Sequence, residues 1–186
     1  MRKDFGCKPW LYPMPVLIVG TYNENNTPNA MNAAWGGIYS DNMIGICLSE
    51  THKTTQNILV TKSFTVSIGT EDQMTACDYV GLVSGNKVPN KFDAAGFHAV
   101  RSAFVNAPII KELPMTLECE FVSYDKENNF MVGKIVNVSV DESILTSEGK
   151  IDPSKLRPIL FDPCNHHYLK AGDKAGDAFK EGKQLL

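Results

Sequence analysis

Short segments in which apolar and polar residues alternate dominate this chain, and such alternation is typical of β-strands. Residues 16–22 are apolar and rich in β-branched side chains, and a turn-forming segment at 23–29 separates them from a returning strand at 30–35. A further strand is predicted at 43–48, which is short and apolar, and another at 63–68. In residues 63–68, apolar and small polar side chains alternate strictly. We therefore expect an early hairpin and two more strands, the last of them buried on one face only.

A long hairpin is predicted in the second half of the chain. Residues 115–121 alternate in polarity, and a polar turn follows at 126–129. Alternate residues of the returning strand are predicted to form one apolar face, with Lys134 as the exception: Phe130, Val132, Val136, Val138 and Val140. Two long neighbouring strands with opposed faces suit the wall of a barrel.

The predicted helices are few and short. One is expected at 52–61, with Thr51 or Thr54 as its N-cap, and another at 73–83. A weak polar helix, interrupted by glycine, is predicted at 173–183. Segment 84–114 has few regular signals, and a long irregular segment inside a compact domain is often functional or covers a partner subunit.

Composition narrows the class of protein. The chain has 186 residues, 43% of them hydrophobic and 21% charged, which indicates a single globular domain spanning 1–186. A net charge of −3 without a basic cluster argues against nucleic acid as a partner. No apolar run is long enough to cross a bilayer, so we expect a cytoplasmic protein. The five scattered cysteines indicate free thiols rather than disulfides or a metal site.

The first candidate for chemistry is the segment Asn29, Ala30, Met31, Asn32, Ala33, Ala34 and Trp35. Small residues let a flat ring approach the backbone, and asparagine amides both donate and accept hydrogen bonds, which suits the pyrimidine edge of a flavin. The alternative is an ordinary barrel strand that ends in a core tryptophan. Composition alone favours that alternative.

The second candidate lies where a strand gives way to a helix, at residues 49–57. A helix N-terminus carries free N–H groups that bind phosphate, and Lys53, Thr54 and Thr55 add a charge and two hydroxyls. The alternative is a capped surface helix. Lys91 is a candidate second cation for the same phosphate, although a lone lysine is more often solvated.

Residues 164–168 bring a cysteine and two histidines close together. Their spacing differs from the usual zinc patterns, so we expect no metal and instead a polar stretch beside a ligand pocket or a dimer interface. The chain has no dinucleotide fingerprint, Walker A sequence or nucleophile elbow. Any chemistry would therefore come from a bound cofactor.

These pieces, in this order, resemble the flavin reductase-like family, and within it the flavoredoxin branch. The likeness extends from about Tyr12 to about Phe179. The matching pieces are Pro13-Met14-Pro15-Val16, Asn29 to Trp35, Lys53-Thr54-Thr55-Gln56-Asn57-Ile58, Phe64-Thr65-Val66-Ser67, Asp78, Ser84-Gly85, Lys91-Phe92, Ala107-Pro108, Glu112-Leu113-Pro114, Leu117-Glu118-Cys119 and Arg157-Pro158-Ile159.

The resemblance implies a mainly β fold, an FMN-binding split β-barrel of Greek-key-like form with a few short helices. It implies FMN as cofactor, with the ring lined by Asn29, Ala30, Met31, Asn32 and Ala33. It places Trp35 at the ring or its wall. The phosphate would be held by Lys53, Thr54 and Thr55 with help from Lys91, and the remaining cofactor contacts would come from Ser49, His52 and Tyr168.

The resemblance also implies a homodimer, with segments 84–114 and 160–186 at its interface. Many NAD(P)H-using relatives carry an Asp-His pair in the turn before Phe130, where this chain has Asn128 and Asn129. The difference favours an electron carrier reduced by another protein over a flavin reductase that takes hydride from NAD(P)H. A non-redox flavin-binding or storage module and a cofactor-free β-barrel remain the alternatives.

Overall fold

A computed structural model describes all of residues 1–186, and its architecture is mainly β. The strands are β1 Met14–Pro15, β2 Leu17–Tyr22, β3 Pro28–Ala33, β4 Gly36–Ser40, β5 Met43–Cys47, β6 Ser63–Ile68, β7 Ala99–Arg101, β8 Pro108–Ile110, β9 Met115–Asp125, β10 Phe130–Val140, β11 Ile159–Asp162 and β12 His167–Lys170. The helices are α1 Lys53–Thr61, α2 Met74–Leu82, α3 Lys91–Ala94 and α4 Pro153–Leu156, with 3₁₀ turns at Glu142–Ile144 and Glu181–Leu185.

Seven strands form one curled antiparallel sheet in the order β3-β2-β6-β9-β10-β5-β4. A three-stranded sheet, β1-β11-β12, and the small β7-β8 hairpin stand beside it. The sheet is a half-barrel, and the fold is the split barrel expected from the sequence.

Two hydrophobic cores lie on opposite faces of the central strands. Because side chains alternate along a strand, β2 sends Leu17 and Val19 into the core inside the curl and Ile18 into a second core under α2 and α3. Strand β6 is also covered on both faces, so its predicted exposed face is wrong. Its polar side chains are buried with partners: the Thr65 hydroxyl donates to the Pro108 carbonyl at 2.6 Å, and Ser67 pairs with Thr116 at 2.8 Å.

The early and central strand predictions are confirmed in position, with two differences. The strand predicted at 30–35 ends at Ala33. The single apolar face predicted for β10 is wrong, because the register with β9 shifts between Val132 and Gly133 and again between Ile135 and Asn137. Each bulge changes which side chains face the core, and Val138 is consequently exposed.

The helices predicted at 52–61 and 73–83 are confirmed, as α1 and α2. The predicted N-cap is wrong: His52 occupies that position, and its side chain makes no capping hydrogen bond. The helix predicted at 173–183 is also wrong, because a polar segment with a glycine has no apolar stripe to pack, and only a 3₁₀ turn forms there. The irregular segment contains α3 and the β7-β8 hairpin.

A buried carboxylate connects the irregular segment to the main sheet. Glu118 of β9 is almost fully buried, accepts a hydrogen bond from Asn137 Nδ2 at 2.6 Å and accepts another from the Ser102 hydroxyl. The Ser102 oxygen in turn accepts from the backbone N–H groups of Phe104 and Val105, both at 2.9 Å. One hydroxyl therefore satisfies three polar groups.

We expect Ser102→Ala to lower the free energy of unfolding by about 2–3 kcal/mol, because it leaves a buried carboxylate and two N–H groups short of a partner. Urea denaturation measures the change. Ser123→Ala is the matched control, since Ser123 is exposed on the same strand as Glu118 and its loss is expected to cost under about 0.5 kcal/mol. Equal, small effects of the two substitutions would contradict this role of Ser102.

Candidate functional site

A cleft of about 340 Å³ opens where the end of β3 meets α2 and the three-stranded sheet. Its lining is mostly apolar with a few polar groups, the usual character of a small-molecule site. The lining residues are Met31, Asn32, Ala33, Ala34, Trp35, Cys47, His52, Asp78, Gly81, Leu82, Phe161 and Tyr168.

Three polar side chains of the cleft are joined by hydrogen bonds. The Tyr168 hydroxyl donates to Asp78 Oδ1 at 2.7 Å and accepts from Asn32 Nδ2 at 3.3 Å. Asn32 Nδ2 also donates to the Cys77 carbonyl at 3.0 Å. Burial raises the pKa of Tyr168 above its ordinary value, and the hydrogen bond to Asp78 raises it further. The phenol therefore stays protonated and holds β12 against β3 and α2.

Trp35 forms one wall of the cleft and is not a core residue. Its side chain is 47% exposed, and its ring centroid lies 6.1 Å from that of Phe161. Its carbonyl accepts from the Cys47 N–H at 2.8 Å, which fixes the backbone that carries the ring. A half-exposed, anchored tryptophan offers a flat apolar surface to a ligand.

A smaller, more polar pocket of about 180 Å³ adjoins the cleft and shares four lining residues with it: Met31, His52, Gly81 and Leu82. Its other walls are the N-terminal end of α1 with Lys53 and Thr54, the end of α2, the segment Val83 to Gly85, and Lys91. Helix α1 has neither a side-chain cap nor an acidic residue in its first turn. Its free N–H groups and positive dipole end suit an anion.

Lys91 is buried at this pocket, with 3% of its surface exposed. Its Nζ donates to the carbonyls of Val80 and Val83, at 2.9 and 2.8 Å, and so satisfies the C-terminal end of α2. No ion pair to a carboxylate accompanies these bonds. Burial lowers the pKa of Lys91 to about 8. The pKa of His52 is also lowered, first by burial and then by the charge of Lys91.

The N-terminal end of α1 is held by a buried polar network. Asn29 Nδ2 donates to the hydroxyls of Thr54 and Thr21, at 2.8 and 3.2 Å. Asn57 Nδ2 donates to Thr21 Oγ1 at 3.0 Å and to Asn23 Oδ1 at 2.9 Å. These side chains lie on one face of α1 and on the adjoining ends of β2 and β3, so they set where the helix begins relative to the sheet.

The structure brings most of the site residues expected from the sequence together. Met31, Asn32, Ala33, Trp35, His52 and Tyr168 line the cleft, and Lys53, Thr54 and Lys91 line the small pocket. The other four expected residues line neither the cleft nor the small pocket. Asn29 donates a hydrogen bond to Thr54, and Ala30 belongs to the second core. The Ser49 hydroxyl is hydrogen-bonded to that of Thr51, and Thr55 is fully buried in α1.

Several lining residues were absent from the expected site. Cys47 and Phe161 reach the cleft from the ends of two distant strands, and Gly81 and Leu82 from the last turn of α2. Nothing local in the sequence marks them, since their proximity arises from the folding of the sheets. No group of three or more His, Cys, Asp or Glu side chains that could hold a metal ion is formed, at residues 164–168 or elsewhere.

A mostly apolar cleft that adjoins a small basic pocket on a split barrel is consistent with the class of flavin-binding split-barrel proteins. The model of the flavin reductase-like domain matches residues 10–162. The chain belongs to the flavin reductase-like family.

The fold is similar to that of two flavoredoxins. The flavoredoxin of Desulfovibrio vulgaris (Miyazaki F) superposes with a TM-score of 0.93 at 33% identity, over 98% of this chain and 100% of that one. The flavoredoxin of Methanosarcina acetivorans superposes with a TM-score of 0.89 at 30% identity, over the full length of both chains.

A more distant structure, nitrilotriacetate monooxygenase component B from Bacillus cereus, has a TM-score of 0.76 at 20% identity, over 90% of this chain and 88% of that one, and shares the fold. Family membership and the similarity to the two flavoredoxins support a flavin-binding redox function. None of the helices has the length and apolar character needed to span a membrane.

Two adjacent threonines of α1 allow a test of the site's construction. The Thr55 hydroxyl is buried without a hydrogen-bond partner, whereas the Thr54 hydroxyl accepts from Asn29. We expect Thr55→Val to raise the free energy of unfolding of the flavin-free protein by about 1 kcal/mol and Thr54→Val to lower it by about 1–2 kcal/mol. Thermal or urea unfolding measures both. Changes of the same sign would contradict the assigned hydrogen bonds.

Proposed function

We propose that this protein binds FMN and transfers electrons as a flavoredoxin-like carrier. The observation that carries the proposal is the buried Lys91, which has no carboxylate partner and shares a pocket with the uncapped start of α1. This pocket adjoins a cleft walled by Trp35 and Tyr168. A planar ring and a phosphate separated by a short chain match this arrangement.

The site residues fit distinct parts of FMN. The backbone and amide groups of Met31, Asn32 and Ala33 would contact the polar edge of the ring, with Trp35 and Tyr168 beside it. Lys53, Thr54 and Lys91 would hold the phosphate, and His52 lies between the two parts because it lines both spaces. The flavin would supply the redox centre, while the side chains orient it and limit its contact with water.

The turn between β9 and β10 supports a carrier over an NAD(P)H-dependent reductase. Asn128 Nδ2 donates to Asp125 at 2.6 Å, and Asn129 Oδ1 accepts from the Tyr124 hydroxyl at 3.2 Å. The Asn128 amide and the Asn129 side-chain oxygen therefore have partners within the hairpin, and the turn contains no histidine to contact a nicotinamide. We accordingly expect a redox protein, rather than NAD(P)H, as the direct electron donor.

A homodimer is part of the proposal. The edge strand β4 exposes Ile38 and Tyr39, at 70% and 60%, and with residues 8–15 it borders a largely apolar groove of about 600 Å³. Segments 84–114 and 160–186 also carry exposed apolar side chains, Phe104 and Leu169. Light scattering on a sizing column tests the dimer, and a single monomeric peak would contradict it.

All five cysteines are free, which supports function in a reducing compartment such as the cytoplasm.

The visible absorption spectrum of the purified protein, recorded without oxygen before and after NADH or NADPH, tests the function. Oxidised flavin bands that persist with both nucleotides and bleach with a chemical reductant support the carrier. Rapid bleaching by either nucleotide would show an NAD(P)H-dependent flavin reductase instead. The absence of bands after incubation with FMN would contradict the proposal in every form.

We expect Lys53→Ala to weaken FMN binding about tenfold at low ionic strength, because it removes one charge-assisted contact to the phosphate. Fluorescence quenching of FMN on binding measures the affinity. Lys87→Ala is the control, since Lys87 is exposed in the nearby segment and lines neither space. Unchanged affinity in Lys53→Ala would exclude Lys53 from the phosphate contacts.

A further inference from the structure

The small pocket carries basic side chains without any acidic one. Its titratable lining groups are His52, Lys53 and Lys91, and the remaining lining residues are neutral. Lys91 is the unusual member, because a buried lysine is normally paired with a carboxylate. Here its partners are two backbone carbonyls, which carry only partial negative charge.

We propose that the pocket binds a phosphate dianion together with a proton that Lys91 takes up, so that phosphate binding and the charge state of this one lysine are coupled. The site would therefore accept phosphate monoesters and inorganic phosphate, and it would release them as the solution becomes alkaline. The identification of the phosphate as that of FMN depends on the proposed function, whereas the coupling depends only on the pocket.

The groups that face Lys91 leave no other source of countercharge. Strand β3, which packs against α3, carries no titratable residue. Helix α2 contributes the carbonyls of Val80 and Val83. Its buried Cys77 has a pKa that burial raises to about 11, so the thiol stays neutral. The carboxylate of Asp78 accepts a hydrogen bond from Tyr168 in the neighbouring cleft. From the start of α1 come His52 and Lys53, and Asp93 of α3 itself is exposed to solvent.

The direction of the pH dependence follows from the burial of Lys91. Without an anion, its pKa is lowered to about 8, so it is charged at neutral pH and largely neutral above pH 9. A dianion in the pocket favours the charged form and raises the pKa. At a pH between the pKa of Lys91 in the empty pocket and its pKa with the anion bound, phosphate binding requires proton uptake. In this range the affinity for phosphate falls by up to about tenfold per pH unit. His52 and a phosphate monoester titrate below this range.

The test uses the flavin-free full-length protein and inorganic phosphate as the probe. Isothermal titration calorimetry at pH 8.5, in two buffers of different ionisation enthalpy, counts the protons taken up. We expect about 0.7 proton per phosphate bound, and an affinity that falls at least fivefold from pH 7.5 to pH 9.5. Zero proton uptake together with an affinity independent of pH would overturn the coupling.

Variants assign the proton to Lys91. Lys91→Arg keeps a charge that does not titrate, so phosphate binding is expected to continue at pH 9.5 without proton uptake. Lys91→Met is expected to bind at least tenfold more weakly at pH 7.5, and Lys87→Met, at an exposed lysine of the nearby segment, is expected to behave like the unaltered protein. Circular dichroism verifies folding. If Lys91→Arg takes up as many protons as the unaltered protein, Lys91 is not the group.

The outcomes separate this inference from the proposed function. Phosphate binding with proton uptake, in a protein that never binds FMN, would support the coupling and contradict the flavin proposal. FMN and phosphate binding that are both independent of pH from 7.5 to 9.5 would overturn the coupling and leave the flavin proposal intact.

Discussion

The buried hydrogen bonds of Asn29 determine where the functional site forms. Its amide joins the hydroxyls of Thr54 and Thr21, and with Asn57 it fixes the first turns of α1 against the ends of β2 and β3. If this network were lost, the free N–H groups of α1 and the side chain of Thr54 would no longer face the end of α2. Buried amide N–H groups that are paired favour one arrangement, because any other arrangement leaves them without partners in a low-dielectric interior.

The curl of the main sheet explains why the site is composed of two unlike parts. Strand β3 is an edge strand of the main sheet. On one of its faces Asn32 forms hydrogen bonds to α2 and β12, whereas on the opposite face Met31 and Ala33 pack on the core inside the curl. The cleft that results is mostly apolar, and the adjoining pocket is small and basic. A ligand that fills both spaces would combine a largely apolar part with an anionic end, and the FMN of the proposed function has both.

The sequence predicts local features well and distant proximity poorly. Strict alternation located β6 and β9, and the family resemblance placed Lys53 and Tyr168 near one site. Alternation could not reveal the bulges that expose Val138, since a bulge depends on pairing between strands. Nor could it show that Lys91 is buried, because a lysine at the start of a short helix is expected to be solvated, and only the tertiary contact with α2 buries it. The roles of Cys47 and Phe161 likewise follow from tertiary structure alone.

In the proposed complex, the ring and the phosphate of FMN occupy two adjoining spaces on either side of His52. A crystal structure of the protein with FMN tests it most directly. We expect electron density for the phosphate within hydrogen-bond distance of Thr54 and Lys91, and density for the ring against Trp35 and Tyr168. Density for FMN at any other place, such as the groove beside β4, with the basic pocket filled only by water, would contradict it.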